Sequence, residues 1–348
     1  MKIGIGLDGT LGLSYEDQAR LSAEAARLGY TSVWTPEGAG EDSFLVCALR
    51  WAATREVLPG GLTTGIGVSP VGLRTPMGFA MSAGTMSKLT GGRFILGIGA
   101  GGAYTPQYRR TWNVRGPSTL ALMRDYLTTI RALLVGETVT YEGQSAALRG
   151  ARLAIDPPPR TPVYLAALGP EMLRLGGELA DGLSLNWCTA GQVAWSRERV
   201  AEGAARAGRD PASITIAEYI RVCVDEDVDV ARRAFTRAVM GYALGFGPPG
   251  GRPQGYRAHF ERMGFAADMA RIDELRRRSA PQDEVIDAFP ESLLRGVGYY
   301  GPAAGAAAAF RRIAEGLDTA IARVVAARPG IESVRAVMAA CAPGSGKG

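Results

Sequence analysis

Short apolar runs alternate with longer amphipathic stretches along almost the whole chain. This alternation is typical of βα units, in which a buried parallel strand is followed by a helix that covers the sheet. The pattern predicts eight strands, at Lys2–Asp8, Ser32–Pro36, Leu62–Val68, Arg93–Gly99, Val163–Ala167, Gly182–Asn186, Ile214–Val224 and Thr319–Ala326. Because eight parallel strands can close into a barrel, the predicted fold is a (β/α)8 TIM barrel of the α/β class.

The helices between the strands carry recognisable start and stop signals. Ser14 can cap a helix over Tyr15–Leu28, and Gly29 supplies the left-handed residue that often follows a helix end. Pro170 stands in the first turn of a helix that runs to about Leu179, where a proline removes no helical hydrogen bond. These signals agree with the βα alternation.

Two stretches are too long for a single βα unit. Residues 100–162, after the fourth strand, contain a glycine-rich loop, a helix over Ser118–Leu134 and a small hairpin around Thr138–Gly143. Residues 226–295, after the seventh strand, contain helices on both sides of the glycine- and proline-rich segment Gly245–Gly255. Long insertions on a barrel usually serve as lids or interfaces, so we expect both to be functional.

The chain is predicted to form one domain over residues 1–342, with a disordered tail over Pro343–Gly348. Its 348 residues exceed an average domain, but α/β barrels commonly occupy this length as a single unit. The composition, with 47% apolar and 21% charged residues, is that of a globular protein and excludes a disordered or collagen-like chain.

The charge pattern does not indicate a nucleic-acid or membrane partner. The net charge of +5 is small for this length, and the basic residues are scattered along the chain. Arg276–Arg278 follow a helical pattern, and we expect them to form a solvated helix end. Apolar runs are shorter than the roughly 18 residues that a membrane-spanning helix requires.

Cysteine and histidine usage limits the chemistry. The four cysteines are far apart, form no C-x-x-C pair and follow no signal peptide, so we expect a cytoplasmic protein with reduced thiols. His259 is the only histidine, which disfavours histidine-rich metal sites and a Ser-His-Asp triad, and we expect it to be structural. No metal site is predicted, and the difficult chemistry is expected to come from a cofactor.

Two G-x-G-x-x-G matches occur, starting at Gly4 and at Gly97. Neither has the strand–turn–helix context of a dinucleotide-binding fold, because the first begins three residues into the chain and the second is followed by Ala103–Pro106. In a barrel, glycines at the carboxyl ends of strands instead let a flat cofactor approach the backbone. We therefore expect the site at this polar, partly glycine-lined face.

Three sets of residues together resemble the bacterial luciferase-like family, and the resemblance extends from the first strand to the final helix. They are Leu73-Arg74-Thr75-Pro76, then Gly91–Phe94 with Leu96–Gly99, and Val163–Pro170 followed by Glu178–Gly182. Within the family, Leu168–Met172 resemble the branch that uses coenzyme F420, including methylenetetrahydromethanopterin reductases, more than the FMN monooxygenases. The resemblance implies an oxidoreductase that binds F420, with FMN as the alternative cofactor.

The resemblance and the strand ends together give the candidate cofactor-binding residues. These are Gly67, Val68, Ser69, Gly99, Ala100, Ala167, Leu168, Gly169, Pro170, Glu171, Met172, Asn186 and Trp187. The family pattern implies a cis peptide at Gly67-Val68 behind the cofactor ring. Backbone N–H groups of Glu171 and Met172, at a helix N-terminus, are expected to hold the cofactor phosphate, with an ordinary βα turn as the alternative.

The proton donor is where the chain departs from the family pattern. Many F420-dependent relatives carry an Asp-His pair after the second strand, whereas this chain has Pro36-Glu37. Glu37 could donate the proton if burial raised its pKa, and Asp8 could serve likewise. A solvated loop glutamate is the alternative for Glu37.

The function implied is hydride transfer to or from a small organic or natural-product-like substrate. The leading prediction is an F420H2-dependent reductase of a C=C or C=N bond, or the reverse dehydrogenation, and relatives imply a homodimer. The alternatives are a reduced-FMN monooxygenase and a cofactor-binding homologue without turnover. The substrate is not predicted, because the two insertions that would select it contain no recognisable motif.

Overall fold

A computed structural model describes residues 1–245 and 253–345. Most of its strands are parallel members of one sheet. In chain order the strands are β1 (Lys2–Gly6), β2 (Ser32–Thr35), β3 (Thr63–Pro70), β4 (Phe94–Gly99), β5 (Val139–Glu142), β6 (Ala147–Ala151), β7 (Val163–Ala166), β8 (Gly182–Asn186), β9 (Thr215–Val224), β10 (Gly298–Gly301) and β11 (Thr319–Val324).

Eight of these strands close a barrel in the order β1-β2-β3-β4-β7-β8-β9-β11, and β11 pairs with β1 to complete the ring. All the barrel pairings are parallel. The predicted (β/α)8 barrel is confirmed, and every predicted strand end lies within two residues of the observed one.

Helices cover the outside of the barrel and build the insertions. They are α1 (Tyr15–Arg27), α2 (Ser43–Arg55), α3 (Pro76–Thr90), α4 (Pro106–Thr111), α5 (Thr119–Leu134), α6 (Pro170–Leu179), α7 (Ala190–Arg206), α8 (Val228–Ala243), α9 (Gly255–Phe260), α10 (Ala266–Arg277), α11 (Gln282–Asp287), α12 (Glu291–Val297), α13 (Ala303–Ile313) and α14 (Ile331–Ala340).

The helix cap, helix stop and hairpin predicted from the sequence are present in the structure. The Ser14 hydroxyl accepts a hydrogen bond from Asp17 N at 3.1 Å and so caps α1, while Gly29 follows the helix with a φ of +85°. The expected hairpin is the antiparallel pair β5–β6. The predicted solvated helix end is confirmed for Arg277 and Arg278, which are half exposed and pair with Glu274 and Glu284. Arg276 is less exposed and pairs with the buried Asp273.

One short strand, β10, lies just after the second insertion and was not predicted from the sequence. β10 pairs with the last four residues of β9, beyond the part of β9 that pairs with β8. Its Gly-Tyr-Tyr-Gly sequence is too short and too evenly buried to show an alternating pattern. Part of the segment Gly245–Gly255 lies outside the described residues. Of the expected disordered tail, residues 343–345 instead form a turn, and 346–348 lie outside the described residues.

Two layers of aromatic side chains fill the barrel interior below its mouth. Trp34 lies at the level of Gly4 and Gly65, and an added Cβ on Gly65 would come within 2.3 Å of its ring. Tyr219 lies at the level of Gly6 and Gly67, where an added Cβ on either glycine would come within 2.9 Å of its ring. These strand glycines therefore make room for a packed interior whose upper surface is the Tyr219 ring.

Candidate active site

A cavity of about 750 Å³ opens at the carboxyl ends of the barrel strands. Tyr219 lies at its base, and the strand ends of β3, β4, β7 and β8 line one side. Residues of the second insertion, including Tyr242, Tyr256 and Arg262, line another. Its volume is in the range of sites that enclose a cofactor or a small molecule.

Ten of the predicted site residues line this cavity. They are Glu37, Gly67, Val68, Gly99, Ala100, Ala167, Leu168, Gly169, Met172 and Asn186. The other predicted residues, Asp8, Ser69, Pro170, Glu171 and Trp187, are not part of its lining.

The local structure explains why two of these residues, Trp187 and Glu171, do not line the cavity. Asn186 faces the cavity, and Trp187, one position on, is fully buried on the other side of the wall against Phe235. Glu171 is exposed and pairs with Arg174 one helical turn later. The Trp187 and Glu171 side chains therefore do not line the cavity, whereas the backbone N–H of Glu171 lies at the start of α6.

The Gly67-Val68 peptide is cis, as predicted. It lies where the pairing between β3 and β4 shifts register, between Ile66 and Ser69. An added Cβ on Gly99 would come within 2.8 Å of the Val68 side chain, so the glycine lets β4 pack closely behind this wall of the cavity.

The start of α6 presents backbone donors without a side-chain cap. Its N-cap residue, Gly169, has an extended φ of −88°, and an added Cβ there would meet no atom within 4 Å. Arg262 lies beside it and donates a hydrogen bond to the Leu168 carbonyl oxygen at 3.0 Å. Because helical N–H groups in the first turn have no intrahelical partner, this corner is suited to a phosphate or another anion.

Glu37 lies at the cavity edge, but both its oxygens accept hydrogen bonds from other residues. Arg74 donates to the two oxygens at 2.6 and 2.8 Å, Ser43 N donates at 3.1 Å, and the Ser69 hydroxyl makes a further short contact. The Glu37 side chain is 2% exposed, so the solvated-loop alternative is wrong. This set of donors suits a carboxylate that positions Arg74 and Ser69, and it argues against proton donation by Glu37.

Asp8 is the anionic partner of Arg323. Arg323 Nε donates to the carboxylate at 2.6 Å, and Thr10 N donates to its other oxygen at 2.8 Å. Burial alone would raise the pKa of Asp8, but the Arg323 charge and the Thr10 hydrogen bonds outweigh it and hold that pKa below its ordinary value. Asp8 is therefore ionised, which does not suit the proton-donor role expected for it.

A group of polar residues lies at and behind the far side of the cavity, and of these only Asn186 was predicted from the sequence. Arg221 of β9 donates to Asn186 Oδ1 and, at 3.3 Å, to the Tyr242 hydroxyl. Arg323 of β11 reaches the same hydroxyl at 3.4 Å, and Asn186 Nδ2 donates to the Tyr256 hydroxyl at 2.6 Å. The sequence did contain a signal, because Arg221 and Arg323 lie in strands made largely of apolar residues. A charged residue in a buried strand is rare unless the charge has a partner or a function.

His259 lies outside the cavity lining and is fully buried. Its Nε2 is 2.9 Å from the Trp187 carbonyl oxygen, and burial lowers its pKa to about 4. These contacts agree with the structural role expected for it. In the described part of the chain, no cluster of His, Cys, Asp and Glu could hold a metal ion, and no helix is long and apolar enough to cross a membrane.

The chain is similar in sequence to proteins named as oxidoreductases. The luciferase-like monooxygenase family model matches residues 2–320. A 5,10-methylenetetrahydromethanopterin reductase of Archaeoglobus fulgidus is 34% identical over 49% of this chain and 50% of its own length, so the chain spans about half of that relative. A Mycobacterium tuberculosis protein named as a coenzyme F420-dependent oxidoreductase is 29% identical over 84% of this chain and 86% of its own length.

Solved structures share the fold over nearly the full chain. The F420-dependent tetrahydromethanopterin reductase of Methanopyrus kandleri superposes with a TM-score of 0.74 at 21% identity, covering 97% of this chain and 96% of that one. An F420-dependent secondary alcohol dehydrogenase superposes with a TM-score of 0.71 at 17% identity, covering 97% and 98%. With a family model that covers most of its length and this shared barrel, the chain belongs to the luciferase-like monooxygenase family.

Proposed function

We propose that the chain is an F420-dependent oxidoreductase that reduces a C=C or C=N bond of a small organic substrate, or carries out the reverse dehydrogenation. The relative that aligns over 84% of the chain is named for coenzyme F420, and so are two solved structures with the same fold. Candidate substrates extend to ketones and secondary alcohols, because a related ketoreductase is 29% identical over 70% of the chain.

The observation that carries the proposal is the uncapped start of α6 at the rim of the cavity. Gly169 leaves open space in front of the first-turn N–H groups, and Arg262 adds a positive charge beside them. A phosphate there would be stabilised by the helix dipole, the backbone donors and the guanidinium together. The wall formed by Gly67, Val68 and Gly99 then offers a surface for the flat ring of the same cofactor.

The residues present therefore fit a deazaflavin with a phosphate on its side chain. When bound, the deazaflavin supplies a carbon that accepts or gives hydride. Val68 would lie behind the ring, Gly169 would let the phosphate approach α6, and Tyr242 and Tyr256 would lie across the cavity where a substrate can enter. Glu37 would act indirectly, by holding Ser69 and Arg74 in place.

A reduced-FMN monooxygenase is the second candidate, because the same corner can hold the phosphate of FMN. A Baeyer-Villiger monooxygenase of Pseudomonas putida in complex with FMN shares the fold with a TM-score of 0.64. Its identity to this chain is 17%, so the likeness supports the fold and leaves the choice of cofactor to a binding experiment.

Parallel fluorescence titrations with F420 and FMN test the proposal. We expect F420 to bind more tightly than FMN, and a panel of ketones, secondary alcohols, enones and imines to include at least one substrate-dependent change in F420 absorbance. Micromolar FMN binding with no detectable F420 binding would contradict the proposal and favour the monooxygenase. Binding of F420 without turnover of any panel member would favour the homologue that has lost activity. The expected cytoplasmic location and homodimer stay predictions.

A further inference from the structure

The hydroxyl group of Tyr242 lies between two buried guanidinium groups. Arg221 Nη2 is 3.3 Å and Arg323 Nη1 is 3.4 Å from the phenol oxygen. The Tyr242 ring packs edge-on against Trp187 and Tyr256, with centroids 5.5 and 4.7 Å away. Two cations and two aromatic rings therefore fix this oxygen at the side of the cavity.

The charges around this oxygen do not balance. Arg323 is paired with Asp8, so these two charges offset each other. Arg221 is 2% exposed, and its hydrogen bonds go to the neutral groups of Asn186, Tyr219 and Tyr242. Within the described residues no carboxylate forms an ion pair with Arg221. The Arg221 charge acts on the buried Glu218 of the same strand, but burial raises the pKa of Glu218 to about 8, which favours its neutral form. A buried charge without a partner is unfavourable. An anion at the Tyr242 oxygen would supply the missing negative charge.

We propose that Tyr242 is the residue that exchanges a proton with the substrate, an inference that rests on the proposed oxidoreductase function. In the reducing direction, two electrons reach the substrate carbon as hydride from the reduced deazaflavin. The Tyr242 O–H bond breaks, and its proton goes to the substrate atom that would otherwise carry the negative charge. The phenolate left behind is held by Arg221 and Arg323 until solvent reprotonates it. In the reverse direction the phenolate takes the proton.

The acidity of the phenol follows from the same contacts. Burial alone would raise the pKa of Tyr242, and the Asp8 charge acts in the same direction. Arg221 and Arg323 outweigh both and lower the pKa of Tyr242 below its ordinary value. The two guanidinium groups therefore make the Tyr242 phenolate easier to form, which a residue that donates a proton and later regains it requires.

The neighbouring phenols are less suited to the role. Burial raises the pKa of Tyr256 to about 12, and its hydroxyl accepts a hydrogen bond from Asn186. Burial also raises the pKa of Tyr219, which lies at the base of the cavity. Neither hydroxyl is within hydrogen-bond distance of both arginines.

Ultraviolet difference titration of the phenol groups tests the acidity without any cofactor or substrate. Wild type should show one tyrosine that ionises below the ordinary pKa of about 10. Tyr242→Phe should lose this transition, and Tyr15→Phe, which removes an exposed phenol, should keep it. The proposal is overturned if wild type lacks the transition or if Tyr242→Phe retains it. Because F420 is absent, this result is independent of the proposed function.

Steady-state kinetics then test the catalytic role of Tyr242. They use the substrate from the panel that the wild-type protein converts fastest. Tyr242→Phe should lower kcat by about 10²–10⁴-fold and remove one limb of its pH profile, while the F420 dissociation constant stays close to wild type. Tyr15→Phe should behave as wild type. Undiminished kcat in Tyr242→Phe, with its pH profile unchanged, overturns the proposal. If no panel member is converted, the proposed function fails, while the phenol titration still decides whether Tyr242 is acidic.

Discussion

Arg74 donates hydrogen bonds to both carboxylate oxygens of Glu37, and this pair joins the end of β2 to the loop after β3. Glu37→Gln keeps the size of the side chain but removes the negative charge that Arg74 faces. We expect the free energy of unfolding to fall by about 1.5–3 kcal/mol, the range for hydrogen bonds to charged groups. Urea-induced unfolding measures this loss.

Asp42→Asn is the matched control, since Asp42 is the other carboxylate that contacts Arg74 and its side chain is 42% exposed. We expect this variant to lose less than about 1 kcal/mol. Activity separates a positioning role from proton donation, because a positioning residue leaves both limbs of the pH profile in place. If Glu37→Gln instead abolishes one limb with stability unchanged, Glu37 is the acid after all.

His259 should stay neutral well below the ordinary range of a histidine. Burial lowers its pKa to about 4, whereas an unfolded chain takes up the proton near 6.5. The folded state therefore holds its full share of stability from this group above pH 6.5 and loses about 3 kcal/mol as the pH falls to 4. As the chain has one histidine, its imidazole resonances can be followed by NMR without assignment.

The matched variant is His259→Gln, whose side-chain amide can still donate to the Trp187 carbonyl. Its unfolding free energy should fall less steeply than that of wild type between pH 6.5 and 4. An imidazole titration midpoint near 6.5 in the folded protein would show that His259 is accessible to water, and the structural assignment would then be wrong.

The barrel and one side of the site could be predicted because they depend on local patterns. Apolar runs separated by helix caps placed every barrel strand, and the glycines at the ends of β3 and β4 indicated a wall that a flat ring can approach. The cis Gly67-Val68 peptide came from the family resemblance, since no local pattern predicts a bond of this kind.

The other side of the site depends on contacts between distant parts of the chain. Tyr242 and Tyr256 come from the second insertion, and their partners Arg221 and Arg323 come from two barrel strands. A sequence shows that an arginine interrupts an apolar strand but not which hydroxyl it will meet. The same limit explains Glu37, whose role changed once Arg74 and Ser69 were found beside it.

Gly169 lies at the start of α6 and lines the cavity. Its φ of −88° is open to any residue, and an added Cβ would meet nothing within 4 Å, so the fold does not require glycine here. A valine would instead fill the space in front of the helix N-terminus, where the cofactor phosphate is proposed to bind. Gly169→Val should therefore unfold like wild type but bind F420 more weakly, by at least the tenfold that corresponds to about 1.4 kcal/mol.

Gly191→Val provides the control for Gly169→Val. Gly191 also lies in the first turn of a barrel helix, α7, is exposed and has no close neighbour, but it is not part of the cavity lining. Fluorescence titration should give wild-type F420 affinity for Gly191→Val and reduced affinity for Gly169→Val. If both folded variants bind F420 like wild type, the start of α6 is an ordinary turn, and the phosphate must lie elsewhere in the cavity.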